Sequence, residues 1–235
     1  GESGSMNTKK TIKSHLPHDR LSDKIWTNDK MLPKFREALL KIAGEFIDYL
    51  GIPIDVVDIT MTGSYANYNY TVFSDIDLHI IVDMESLSND TDLVEEFFNA
   101  KRSFWNDRHD ITLKGIEVEL YPQDADEEHN STGVYSIYDD MWVVKPKKFK
   151  DKIDVERIEK DANKIIKEIE AAIKSSIKRM DEKPISRILK KLKKMRSSGL
   201  ERSGELSHEN ITYKVTRAQG FLQKLFDTKY EIQDK

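Results

Sequence analysis

TGSYANYNYTVFSDIDLHIIVD, residues 62–83, is the stretch that decides how this chain reads. Ile76, Leu78 and Ile80 alternate with polar neighbours, which is the period-two pattern of a half-buried strand. Successive side chains on a strand point to opposite faces, so Asp75 and Asp77 project together while the apolar residues enter a core. Two carboxylates side by side repel each other unless a divalent cation neutralises them, and magnesium favours carboxylate oxygens combined with substrate phosphates. Upstream, Val56 to Met61 reads as a strand running into Thr62-Gly63-Ser64. A glycine there lets the backbone pass close to a ligand, and exposed amides with a serine hydroxyl make a compact phosphate cradle. Taken singly, each feature has an ordinary reading: Gly-Ser is common in turns, and Asp-x-Asp occurs on solvated strand faces.

Working outward, Phe35, Leu39, Ile42, Ala43, Phe46, Ile47 and Leu50 repeat at helical spacing, with Gly51 and Pro53 as the stop. Leu93 to Trp105 reads as a helix, Ile116 to Tyr121 as a strand, and Val134 to Val144 as a hairpin turning at Asp139-Asp140. After Pro146 the pattern becomes helical: Ile153 to Met180, a run from Pro184 through Met195 ended by Gly199, and Lys214 to Phe226, with Ser207 as a helix cap and Asn210 at its third position. The expected layout is a tag remnant and N-terminal arm over residues 1–29, an α/β domain with a mixed sheet over 30–148, and an α-helical domain over 149–235. Gly1 to Ser5 ahead of Met6 reads as the remnant, and the arm shows no sustained periodicity.

The combination of Gly63-Ser64 ending one strand with Ser-Asp-Ile-Asp-Leu, residues 74–78, entering the next resembles the signature of DNA polymerase beta-like nucleotidyltransferases. Ten residues, Tyr65 to Ser74, separate the two motifs, which fits that family. The resemblance covers about residues 55–122. It implies an α/β (α+β) nucleotidyltransferase core with a mixed sheet, and transfer of a nucleoside monophosphate from a nucleoside triphosphate to a hydroxyl-bearing acceptor with release of pyrophosphate. It also implies two magnesium ions, or manganese in their place, on Asp75 and Asp77, with Gly63 and Ser64 holding the triphosphate. A third carboxylate is expected on a neighbouring strand. Glu117 and Glu119 share one face of Gly115-Ile-Glu-Val-Glu-Leu-Tyr121, and Glu119 is preferred because Val-Glu-Leu resembles the family's usual triplet. Glutamate in place of the commoner aspartate is a departure. The helical region of such enzymes often contacts the nucleotide, which makes Lys214 and Arg217 phosphate-binding candidates. The compact layout resembles small prokaryotic or phage enzymes.

Composition excludes several other classes. The chain of 235 residues has 38 basic and 42 acidic side chains, so its net charge of -4 supplies no general attraction to nucleic acid or anionic membrane. There is no cysteine, hence no disulfide, thiolate zinc site or cysteine nucleophile, and a cytoplasmic location is expected. No apolar run approaches the ~20 residues of a membrane helix. The triplets at Asn69, Asn89, Asn130 and Asn210 read as chance matches to the glycosylation pattern. His79 reads as packing, the cluster Tyr65, Tyr68, Tyr70 and Phe73 as core or loop closure, and Trp105 and Trp142 as core. Acceptors compatible with the sequence are an RNA end, a protein, a nucleotide or a small molecule. A second reading is a catalytically inactive module of the same fold that binds RNA or a protein through the basic helix and following turn of Arg187, Lys190, Lys191, Lys193, Lys194, Arg196 and Arg202.

Overall fold

A computed structural model describes residues 2–128, 131–150 and 152–234 of the chain. Gly1, at the head of the supposed remnant, and Asn130, in one of the glycosylation-like triplets, lie outside them. The chain divides into two compact units, Pro17–Phe149 and, together, Gly1–Leu16 with Lys150–Lys235. The first is α/β and the second helical.

Helix α1, Glu2–Ser14, counts with the helical unit. The expected aperiodic arm is thus a helix followed by a short ribbon of β1, Trp26–Thr27, against β2, Lys30–Met31. Its periodicity is faint because few of its residues are apolar. Ile12 of α1 is fully buried in a cluster with Ile158 and Val215, so packing rather than propensity accounts for this helix.

In the α/β unit, α2 spans Pro33–Leu50 and buries Phe35, Leu39, Ile42, Ala43, Phe46 and Leu50. Its N-terminus has no side-chain cap, a deficit of about 1 kcal/mol. Burying one Leu or Phe contributes about 1.5–3 kcal/mol, so the apolar stripe outweighs the missing cap several-fold. Gly51 ends the helix in the left-handed conformation at φ 71°. Strand β3, Val56–Thr62, leads through a single 3-10 turn, Ser64–Ala66, and a polar loop to β4, Ile76–Val82. Then follow α3, Thr91–Arg108, capped by Asp90, the strands β5, Thr112–Leu113, and β6, Ile116–Asp124, and the hairpin of β7, Val134–Ser136, with β8, Met141–Val144.

Six strands make one mixed sheet in the order β5-β6-β4-β3-β7-β8, in which β4 and β6 are parallel and the other neighbours antiparallel. This is the α/β class with a mixed sheet that the sequence implies. Ile76, Leu78, Ile80 and Val82 of β4, with Val118 and Leu120 of β6, share a core with α2 and α3. The residues between them, Asp77, His79, Glu119 and Tyr121, are half-buried on the opposite face.

The helical unit holds α4, Val155–Arg179, α5, Lys183–Ser203, α6, His208–Ala218, and α7, Phe221–Gln233. Two expectations need correcting. Gly199 does not stop a helix: it is buried within α5, where a Cβ would come within 2.6 Å of Ser207 Oγ and 3.2 Å of the Asn210 amide, so its missing side chain lets α5 and α6 approach closely. The run from Lys214 to Phe226 is not one helix, because Gly220, left-handed at φ 83°, separates α6 from α7. Ser207 does cap α6, accepting from the Asn210 amide at 3.1 Å. Among the described residues no helix is long and apolar enough to cross a membrane. Asn69 and Asn210 are buried, which suits a structural role for both.

Candidate active site

Strand register assembles the acidic residues. Asp77 on β4 is paired with Thr62 of antiparallel β3 on one side and with Glu119 of parallel β6 on the other. The next row on the same face is Thr60, His79 and Tyr121. Asp75 lies just ahead of β4, close enough to act electrostatically on Asp77. Glu117 sits elsewhere: it pairs with Thr112 of the edge strand β5 and is exposed. Of the two glutamates, Glu119 is the one paired with Asp77.

The loop before β4 is braced from within. The Ser64 hydroxyl donates to Ser74 Oγ at 2.6 Å, and Ser74 Oγ accepts from the Thr71 amide at 2.9 Å. The Gly63 carbonyl accepts from the Ala66 amide and from Asn67 Nδ2, each at 3.0 Å. Asn67 Oδ1 in turn accepts from the Thr132 hydroxyl at 3.1 Å, and a Cβ on neighbouring Gly133 would collide with the Ala66 carbonyl. Gly63 has φ 87°, and a Cβ there would lie 2.5 Å from Asp77 Oδ2. Glycine at this position does two things: it adopts a conformation L side chains avoid, and it lets the backbone run against the carboxylate. Tyr65 and Tyr68 are buried, and Tyr70 stacks on His18 with ring centroids 3.9 Å apart. Most of the aromatic cluster thus closes the loop, whereas Phe73 is exposed at its tip.

Electrostatics single out Asp77. Burial, then Glu119, then Asp75 push its carboxyl up to about 7, and Arg102 of α3 pulls the other way. Burial and the hydrogen bond to Glu119 raise the Tyr121 phenol as well, since that phenol donates to Glu119 Oε2. The Arg102 guanidinium lies over the Tyr121 ring, 4.3 Å from its centroid. His79 stacks on Tyr121 at 5.2 Å, and its Nε2 is 2.8 Å from Thr62 Oγ1, which accords with the packing role read from the sequence. Two adjoining cavities, of about 300 and 380 Å³, open beside His79 and share Gln123 and Glu127 in their walls. Their size is that of small-ligand sites, roughly 300 Å³ and upward.

A like-charge cluster held half-buried is the donor set a divalent cation suits, because the cation removes the repulsion and replaces lost hydration. Among the described residues no group of three or more His, Asp or Glu side chains is arranged to hold a metal ion by itself. An ion held here would complete its shell with substrate oxygens and water, as magnesium commonly does. Lys214 and Arg217 belong to α6 of the helical unit. Lys214 Nζ is bonded to Glu205 at 2.8 Å, and Arg217 lies over the Tyr213 ring at 5.7 Å. Sequence reasoning missed Arg102 and Tyr121. Arg102 is one of several cations on a helix that carries no motif, while Tyr121, two residues after Glu119 on an alternating strand, was findable by face.

Fold and site together define a mixed α/β protein whose sheet face gathers carboxylates beside a braced Gly-Ser turn. No protein-family model and no curated protein matches the chain. Among solved structures, a STING-associated CdnE c-di-GMP synthase from Capnocytophaga granulosa is similar at 14% identity and a TM-score of 0.24, covering 87% of this chain and 84% of that one. A likeness of that size carries no argument, so the functional reading rests on the site itself.

Proposed function

We propose that the protein is a metal-dependent nucleotidyltransferase that moves a nucleoside monophosphate from a nucleoside triphosphate to a hydroxyl-bearing acceptor. The observation that carries this reading is the register of Asp77 with Glu119, with the Gly63 backbone against Asp77 and Asp75 beside it. Asp75 and Asp77 would hold the magnesium ions, and Glu119 would join the one serving the acceptor. Bound there, magnesium lowers the pKa of the attacking hydroxyl and neutralises charge on the departing pyrophosphate. The Gly63-Ser64 turn would hold the triphosphate, its serine oriented by Ser74. The acceptor hydroxyl would lose its proton to solvent and bond to the α-phosphorus as the bridge to the β-phosphate breaks and pyrophosphate leaves. An RNA end, a protein, a nucleotide and a small molecule all remain acceptors of suitable chemistry.

The test is a thermal-shift series with ATP, GTP, CTP and UTP, each with and without magnesium. At least one triphosphate should raise the melting temperature in a magnesium-dependent way, which also names the donor. If none does, the reading fails. The competing non-catalytic module rests on the exposed Arg187, Lys190, Lys193 and Lys194 of α5. It predicts polynucleotide binding with a steep salt dependence that flattens when Lys190, Lys191, Lys193 and Lys194 become glutamine.

A further inference from the structure

Behind the row of Thr62, Asp77 and Glu119 lies a second row, Thr60, His79 and Tyr121, on the same sheet face. Its outer member reaches into the first, since the Tyr121 hydroxyl donates to Glu119 Oε2. The ring that carries this hydroxyl is itself held: His79 stacks on it at 5.2 Å, Arg102 covers it at 4.3 Å, and His79 is fixed by Thr62 at 2.8 Å. Tyr121 and Glu119 are two residues apart on one strand, so their side chains share a face and the bond needs no backbone distortion.

We infer that Tyr121 is a positioning residue for Glu119, tethering one carboxylate oxygen so that the other stays available to a divalent cation shared with Asp77. The inference rests on the magnesium reading above. Glutamate is one methylene longer than aspartate and has one more rotatable bond, so an untethered Glu119 would lose more side-chain freedom on binding an ion. The phenol removes that freedom beforehand. Arg102, over the ring, balances charge next to it.

Manganese binding to the full chain, followed by electron paramagnetic resonance in the presence of a non-hydrolysable triphosphate, tests this without relying on turnover. Wild type should bind two ions. Tyr121→Phe should keep the tighter ion and weaken the second by about tenfold, with an unchanged melting temperature, since a phenyl ring fills the same space. Glu119→Gln should weaken the same ion, and the double variant should be no weaker than Glu119→Gln alone, because Tyr121 acts through Glu119. Should Tyr121→Phe misfold, Tyr121→Met, which also removes the phenol, should weaken the second ion to the same extent. Wild-type binding of both ions by Tyr121→Phe, or an additive double variant, overturns the tether. Wild-type binding by Asp77→Asn overturns the magnesium reading itself, which separates the two failures.

Discussion

Lys191, Lys214 and Arg202 of the helical unit each lie within 2.8 Å of a carboxylate, whereas Asp77 of the α/β unit is surrounded by two further carboxylates. Glu168, Glu205 and Glu209 match the three cations, and His208 stands 3.2 Å from Asp161. Pairs near the surface, such as Lys191 with Glu168, add only about 0–1 kcal/mol each, so these partly exposed charges are balanced in place. In the α/β unit the cations Lys30, Arg36 and Lys145 pair with Asp140 and Asp29, on the hairpin and the small ribbon. The acidic cluster on β4 and β6 has Arg102 as its counterweight. Charge that is balanced maintains a surface; like charge gathered in a half-buried row lowers the stability of the empty protein, and such arrangements concentrate at functional sites.

Two glycines with nearly the same positive φ but different ψ, -172° at Gly63 and 8° at Gly220, provide the sharpest contrast between the units. Gly63 and Gly220 have φ 87° and 83°, but a Cβ at Gly63 meets Asp77 and one at Gly220 meets nothing within 4 Å. Gly63→Ala should therefore reduce magnesium-dependent transfer by about a hundredfold or more, since it displaces the carboxylate as well as straining the turn. Gly220→Ala should cost about 1 kcal/mol of stability and leave nucleotide binding alone. Melting curves and transfer rates measured on both variants check this, and equal loss of activity would erase the distinction between site and scaffold.

A smaller but more selective effect separates the two glutamates of β6. Glu119→Gln should lower transfer by roughly a hundredfold while triphosphate affinity with magnesium changes by less than about threefold, because Asp75 and Asp77 remain. Glu117→Gln, on the edge pairing with Thr112, should change neither. The reverse outcome would move the third carboxylate by one pleat.

The smallest effect is one of sign. In metal-free protein the Asp77 carboxyl is raised from 3.8 to about 7, so the folded state favours its protonated form. Its stabilising contribution is fully present below pH 3.8 and is lost as pH rises through about 7. His15 of the helical unit is lowered from 6.5, first by burial and then by Lys214 and Arg217 against the opposing Thr11 hydrogen bond. Its contribution is present above 6.5 and lost as pH falls below it. Between pH 7.5 and 5.5 the α/β unit should gain protection against hydrogen exchange, after correction for intrinsic rates, while the helical unit loses some. Saturating magnesium should remove the gain, since ligation holds carboxylates ionised.

Much of this layout was legible because it is local. Alternation along residues 76–82 places Asp75 and Asp77 on one face, and the stripe from Phe35 to Leu50 marks α2 without a tertiary contact. Whether Glu117 or Glu119 stands beside Asp77 depends on the register of β4 with β6, a pairing across some forty residues that periodicity does not encode. The same holds for the approach of Arg102 to Tyr121 and of Gly133 to Ala66. Gly199 as a helix stop, and Lys214 to Phe226 as one unbroken helix, fail for a related reason. A glycine's role depends on what approaches it and on its φ, and neither is written in its neighbours' hydrophobicity.

The central claim is that Asp75 and Asp77 together carry metal-dependent triphosphate binding. Isothermal titration of wild type and of the Asp75→Asn, Asp77→Asn double variant, with the triphosphate that gives the largest thermal shift, tests it most directly. Wild type should bind with magnesium and at least about tenfold more weakly after chelation. The double variant should show no magnesium-dependent binding, yet melt at or above the temperature of metal-free wild type, because the repulsion within the cluster has been removed. Magnesium-dependent binding that survives in the double variant would contradict the account.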